Sequence, residues 1–142
     1  MQVSRSVRTV AVALLTAGAL AACGSSGGGS SASTPTTKSP EEMIVPAAKV
    51  TAGFIAVRAI AQGLPAALGA DQAQARKDVD RMYAKWFEFE GTVRKNDQDL
   101  YLTMEDGLSG MKIGVQTNKP DRVTSGLADF DQAVDAYLKK NP

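Results

Sequence analysis

From Ser39 to the C-terminus, apolar residues recur at alternating spacings of three and four, the period of one face of an α-helix. Met43, Ala47, Val50, Phe54, Val57, Ala61, Leu64 and Leu68 form the first such seam. Ser39 before Pro40, with Glu42 three residues on, supplies a starting signal of capping serine, first-turn proline and returning carboxylate. Gly63 and Pro65 interrupt the seam, so a break or kink is expected near Gln62 to Leu64. Asp71 can cap a second helix with Ala75, Val79, Met82, Trp86, Phe89 and Val93 inward, ending at a turn marked by Asn96 and Asp97. A third helix turns Tyr101, Met104, Leu108, Met111 and Val115 to one side. Gly107, Gly110 and Gly114 weaken it by about 1 kcal/mol each relative to alanine, while permitting close helix approach. Asn118-Lys119-Pro120 opens a fourth, with Val123, Leu127, Phe130, Val134 and Tyr137 as its seam and Lys139 and Lys140 complementing its dipole. No alternating strand pattern occurs. Four amphipathic segments with short connections predict an all-α, antiparallel up-down four-helix bundle over residues 40–142.

The pattern upstream is different in kind. Residues 1–22 have the form of a secretory signal, with Arg5 and Arg8 ahead of an uncharged run from Val10 to Leu20. That run is shorter than the roughly 20 residues a membrane-spanning helix needs. Leu20-Ala21-Ala22-Cys23 resembles the lipobox of bacterial lipoproteins. The resemblance implies cleavage before Cys23, lipidation of its thiol and amine, and anchoring of the chain to the outside of the cell membrane. Residues 23–39 are then the lipidated cysteine and a Gly/Ser/Thr-rich linker without a large apolar residue. Its sixteen residues from Gly24 to Ser39 span roughly 20–25 Å as a flexible coil.

Composition narrows the chemistry. The 142 residues carry 16 Lys+Arg against 15 Asp+Glu, and loss of Arg5 and Arg8 with the signal makes the remainder slightly acidic. That balance excludes the basic excess of a nucleic-acid binder. With no histidine there is no Ser-His-Asp triad and no His-ligated zinc or bis-His haem. A single cysteine leaves no intrachain disulfide or redox pair, and the lipidation that the resemblance implies would consume its thiol as a nucleophile.

The densest polar patch straddles the second turn, from Trp86 to Tyr101 and on to Glu105-Asp106. Glu90 flanks Phe89 on the second helix, and Glu105 flanks Met104 on the third, each seven or eight residues from the turn. In an antiparallel hairpin the two carboxylates meet at one level, over a floor of Trp86, Phe89 and Met104, with Tyr83 and Tyr101 adding hydroxyls. Paired carboxylates near apolar surface need a cation or a proton between them, which is the physical case for a hard-metal site. A salt-bridge cluster with Arg94, one turn after Glu90, and Arg58 of the first helix is the other reading of the same residues. Met82, Met104 and Met111 fall on core seams rather than forming a copper(I) site. Asp97 and Asp99 suit a helix cap better than a calcium loop, lacking its glycine and terminal glutamate. Glu90 and Glu105 as hydrolytic acid and base would require a substrate cleft that a bundle of about 100 residues offers little room for.

Trp86, Phe87, Glu90, Gly91, Val93 and Arg94, followed by Asp97, Leu100, Tyr101 and Glu105, resemble a segment of the helical extracytoplasmic domains that accompany bacterial iron permeases and of imelysin-like iron-uptake lipoproteins. The match covers about 20 residues, and the His-x-x-Glu motif of the imelysin type is absent. The resemblance implies a non-catalytic accessory to extracytoplasmic metal handling, with iron as the cation. Glu90 and Glu105 would be its ligands, supported by Glu88, Tyr83 and Tyr101. The expected partners are the membrane, through Cys23, and an envelope or transporter protein. The alternative is a ligand-free interaction module of the cell envelope.

Overall fold

Pro46 decides where the first long helix begins. A proline disfavours helical geometry in the residue before it and has no N–H to donate. In the computed structural model, which describes residues 39–142, α1 accordingly runs Ala47–Ala70 with Pro46 as its N-cap. The expected signal segment, Cys23 and the expected linker up to Lys38 lie outside the described residues. The expected start at Pro40 is a single 3₁₀ turn, Pro40–Glu42, where the Ser39 N–H donates to the Glu42 carboxylate at 3.2 Å. Between turn and helix, the Val45 N–H donates to Thr92 Oγ1 at 2.7 Å, clasping this segment to a later helix.

The helices that follow are α2 (Gln72–Trp86), α3 (Glu90–Asn96), α4 (Gln98–Gln116) and α5 (Pro120–Lys140), with no strand among the described residues. The all-α expectation holds, but the described residues form five α-helices rather than four. The second seam divides at Phe87–Phe89, where the Phe89 N–H bonds back to Trp86 C=O at 3.1 Å and the backbone leaves helical geometry at φ −146°, ψ −5°. The division seats the Phe89 ring on Gly53, where an added Cβ would lie 2.4 Å from the ring. Trp86, Phe89 and Val93 are nevertheless all buried, so the inward pattern survives the break. Of the break or kink expected near Gln62 to Leu64, the break does not occur: α1 continues through Pro65, its seam residues Ala61, Leu64 and Leu68 buried.

The caps follow the sequence signals. Asp71 accepts from the Ala73 and Gln74 N–H groups at the head of α2, and Asp97 accepts from the Leu100 N–H at the head of α4. At the end of α4, Asn118 takes φ +53° and the Lys119 N–H reaches back to Gly114 C=O at 2.8 Å, before Pro120 starts α5.

In the packing, α1 lies on α2 and α5, and α4 lies on α2 and most extensively on α5, with the short α3 against α4 and the 3₁₀ turn. Glycines set the α4–α5 spacing: a Cβ on Gly126 would stand 2.6 Å from Gly107 C=O and 2.8 Å from the Met111 backbone nitrogen. Residues Pro35–Pro142 form one compact unit, and no buried side-chain N or O among the described residues lacks a hydrogen-bond partner. That unit therefore has what it needs to fold alone.

Two glycine substitutions should move stability in opposite directions. Gly126→Ala forces two backbones apart and is expected to cost about 2–3 kcal/mol. Gly63→Ala, at an α1 position with nothing within 4 Å, should stabilise by about 0.5–1 kcal/mol through helix propensity. Urea denaturation of residues 35–142 measures both, and equal effects would contradict the close approach of α4 and α5.

Candidate functional site

Trp86, the last residue of α2, is fully buried and central to an aromatic cluster. Its ring meets Phe89 edge-on at 5.2 Å, Phe130 of α5 at 6.2 Å and Phe54 of α1 at 6.3 Å, and stacks on Tyr101 of α4 at 6.0 Å with 14° between planes. An indole so enclosed must still place its N–H. It donates to Oε1 of Glu105, one α-turn beyond Tyr101 on α4. The carboxylate is half-buried, so a charge-assisted hydrogen bond ties the end of α2 to the middle of α4.

Tyr83 lies one turn before Trp86 and shares this environment. Burial, and secondarily the Glu105 charge, push its phenol up to about 12. Lys112 Nζ sits 5.3 Å from the centre of the Tyr83 ring, and Phe87 packs against it at 5.7 Å. Glu105 and Tyr101 thus meet the Trp86 indole, and Tyr83 lies near enough to Glu105 to sense its charge.

Glu90 opens α3 and is 3% exposed. Thr92 points to Val45, accepting its N–H. Glu90, two residues away and so about 200° around the helix, projects to the opposite side of α3 from that clasp. A carboxylate this deep must be paired or hydrogen-bonded, and Arg94 follows one turn along the same face.

Glu88 does not join this group. It pairs with Lys85 at 2.7 Å and senses Lys49 of α1, and the Lys85 hydrogen bond holds its carboxyl below the usual range. Arg58 does not reach the patch either. It spans to α5, with Nε on Asp131 Oδ1 at 2.9 Å and Nη2 on Asp131 C=O at 2.7 Å and Asp135 Oδ1 at 2.5 Å. This inter-helix pairing leaves no trace in local spacing.

As a cation site the donor set is narrow. Among the described residues, no group of three or more His, Cys, Asp or Glu side chains is disposed to hold a metal ion. A cation here would draw on Glu90, Glu105 and phenol oxygens, and Tyr83 would have to surrender a proton held more tightly than in water. Met82, Met104 and Met111 are fully buried core residues, and Asp97 is occupied as a helix cap and by Lys140 Nζ at 2.5 Å. Surface clefts of about 360–420 Å³ are lined by other residues, the first by Ile44, Val50, Thr92 and Tyr137 and the others by neither Glu90 nor Glu105.

The Tyr83 phenol gives this geometry a pH signature. Its ionisation lies above the unfolded value near 10, so its contribution to stability is complete below pH ~10 and is lost as pH rises through about 12. In a phenolate absorbance titration, Glu105→Gln should lower the Tyr83 midpoint while leaving it above that of an exposed tyrosine, because burial is the larger cause. An unchanged midpoint would separate Tyr83 from the Glu105 charge.

Comparisons of the chain with protein-family models, with curated proteins and with solved structures return no match.

Proposed function

We propose that the chain is a lipid-tethered, extracytoplasmic docking domain without catalytic chemistry. In this reading Cys23 carries the lipid anchor in the cell membrane, residues 24–39 are the tether, and the helical domain meets a protein partner in the envelope. The helical domain is proposed to be an up-down four-helix bundle of α1, α2, α4 and α5, with α3 as an insert. The pairings α1–α2, α2–α4, α4–α5 and α5–α1, which close a ring, support that arrangement.

One observation carries the docking reading. A surface helix normally opposes its apolar stripe with a charged face, and α1 does not. Its charges are Lys49 and Arg58 alone, and from Ala59 to Ala70 it has none. Ile55, 67% exposed, lies on the outward side. By length and composition alone α1 could cross a membrane, yet 28% of its most apolar window is buried in the fold. A helix apolar on both sides has an inner partner here and a second side suited to another.

A photo-crosslinking residue at Ala59 of the full-length chain in its membrane tests this. A light-dependent adduct between Ala59 and a protein, absent from a control at exposed Asp129 of α5, is the expected result. No adduct, or equal adducts at both positions, would sink the docking reading.

The second reading, an accessory to iron binding or uptake, is favoured by Glu105 and Tyr101 meeting at Trp86, with Tyr83 sensing the Glu105 charge and Glu90 buried on the adjoining α3. It predicts that Fe(III)-citrate raises the thermal midpoint of residues 35–142, by mass action, and that Glu90→Gln/Glu105→Gln abolishes the rise. No shift with Fe(III), Mn(II), Ca(II) or Cu(II) would leave the carboxylates with a structural role only.

A further inference from the structure

The residues along the outward midline of α1 are Ala48, Ala52, Ile55, Ala59, Gly63, Ala66 and Ala70, all exposed, with exposed Thr51, Gln62 and Gly69 on one flank of that line. Their spacings run four, three, four, four, three, four, the same in either direction, with Ala59 at the centre. A helix with this face, turned end over end against a copy of itself, meets itself in register. Ala48 falls opposite Ala70 of the other copy, Ala52 opposite Ala66, and Ala59 opposite Ala59. The one bulky member falls opposite the one hole: Ile55 faces Gly63, where nothing lies within 4 Å of the missing Cβ.

The charges agree with this pairing. The last turn of α1 contains no basic residue, so its C-terminal carbonyls carry their partial negative charge without a neighbouring cation from the same turn, and exposed Asp71 follows directly. Antiparallel pairing brings exposed Lys49 of the other copy to that end. Basic residues flanking the face are answered within their own chain: Arg58 by Asp131 and Asp135, Arg81 by Asp78 at 3.1 Å, Lys85 by Glu88. Like charges therefore do not oppose a symmetric contact. The same internal pairing weakens the case for an anionic lipid surface, which in addition selects Trp, Phe and Leu rather than alanine.

We propose that α1 is a self-association surface, on which two copies of this chain pair antiparallel about Ala59. The proposal rests on the docking reading above and names its partner. A helix of about 36 Å, contacting over a width of roughly 10 Å, buries a few hundred Å² per copy, below the ~800 Å² per partner of a stable complex. The pair should therefore be weak in dilute solution and favoured where a membrane tether raises the effective concentration.

Residues 35–142 contain no cysteine, so single substitutions report cleanly. Under mild oxidation Ala59→Cys should form a disulfide dimer about tenfold faster than Ala48→Cys, because two-fold pairing holds Ala48 about 33 Å from its own counterpart. Mixing Ala48→Cys with Ala70→Cys should restore cross-linking, and Ile55→Lys should suppress the Ala59→Cys dimer while leaving the thermal midpoint unchanged. Both readings stand if the Ala59 photo-adduct on membranes has twice the mass of the chain. An adduct with a different protein, with Ala59→Cys no faster than Ala48→Cys, keeps docking and overturns self-association. A lipid adduct or none overturns both. Equal cross-linking at all three cysteines would mean random collision or a parallel pair and would also overturn the proposal.

Discussion

A buried tryptophan makes two demands that oppose each other: its large ring is best removed from water, and its N–H must not be left without an acceptor. Trp86 is fully buried, at the point where α1, α3, α4 and α5 all present an aromatic or apolar surface to the end of α2. The acceptor therefore has to be brought inward, and the chain brings a carboxylate. Placing Glu105 beside the indole fixes the register of α2 against α4. The ring contacts with Phe54 and Phe130 extend the same constraint to α1 and α5. Removing the acceptor outright would leave a buried donor unsatisfied, at a cost of about 1–3 kcal/mol.

The same constraint explains why the patch has the look of a metal site in sequence. Carboxylates and phenols beside aromatic residues are what a hard cation needs, and they are also what a buried indole and its stacked tyrosine need. Composition does not separate these uses; donor direction does. Glu105 Oε1 is turned to Trp86, while Glu88, equally acidic and equally near in sequence, is turned to Lys85 at the surface. With Glu105 Oε1 committed to the indole and the Tyr83 proton held against ligation, the donor set for a cation is narrow.

Local periodicity was a good guide wherever the deciding contact lay within a few residues. The seams from Val50 to Tyr137 are buried apart from the partly exposed Leu127, and Asp71, Asp97 and Asn118 end or begin helices as their side chains and backbone preferences require. It was a poor guide where a distant partner decides. The division at Phe87–Phe89 depends on Gly53 of α1 offering a seat to a ring, some thirty-six residues away in the chain. Arg58 was a candidate for the Glu90 and Glu105 groove because its reach is long; that Asp131 and Asp135 are nearer is a fact of α1–α5 packing alone. The late start of α1 is a different kind of miss, since Pro46 was in plain view and its effect on Val45 is local.

Arg58 is also what makes α1 unusual as a surface helix. Its guanidinium turns sideways to α5, and Lys49 stands near the other end, so the central and C-terminal outward turns are left to alanine, glycine, one isoleucine and the uncharged Gln62. Small residues there are not required by the core, which is supplied by Val50, Phe54, Val57, Ala61, Leu64 and Leu68 on the opposite side. Nor does helix stability require them, since Glu, Lys, Gln and Arg sustain an exposed helix nearly as well as alanine while keeping it soluble. Gly63 in mid-helix is worse than neutral, costing about 1 kcal/mol relative to alanine with no neighbouring atom to account for the missing methyl. A helix that gives up stability at its exposed centre, and places its exposed isoleucine opposite Gly63 across that centre, has the composition that the proposed contact on that face requires.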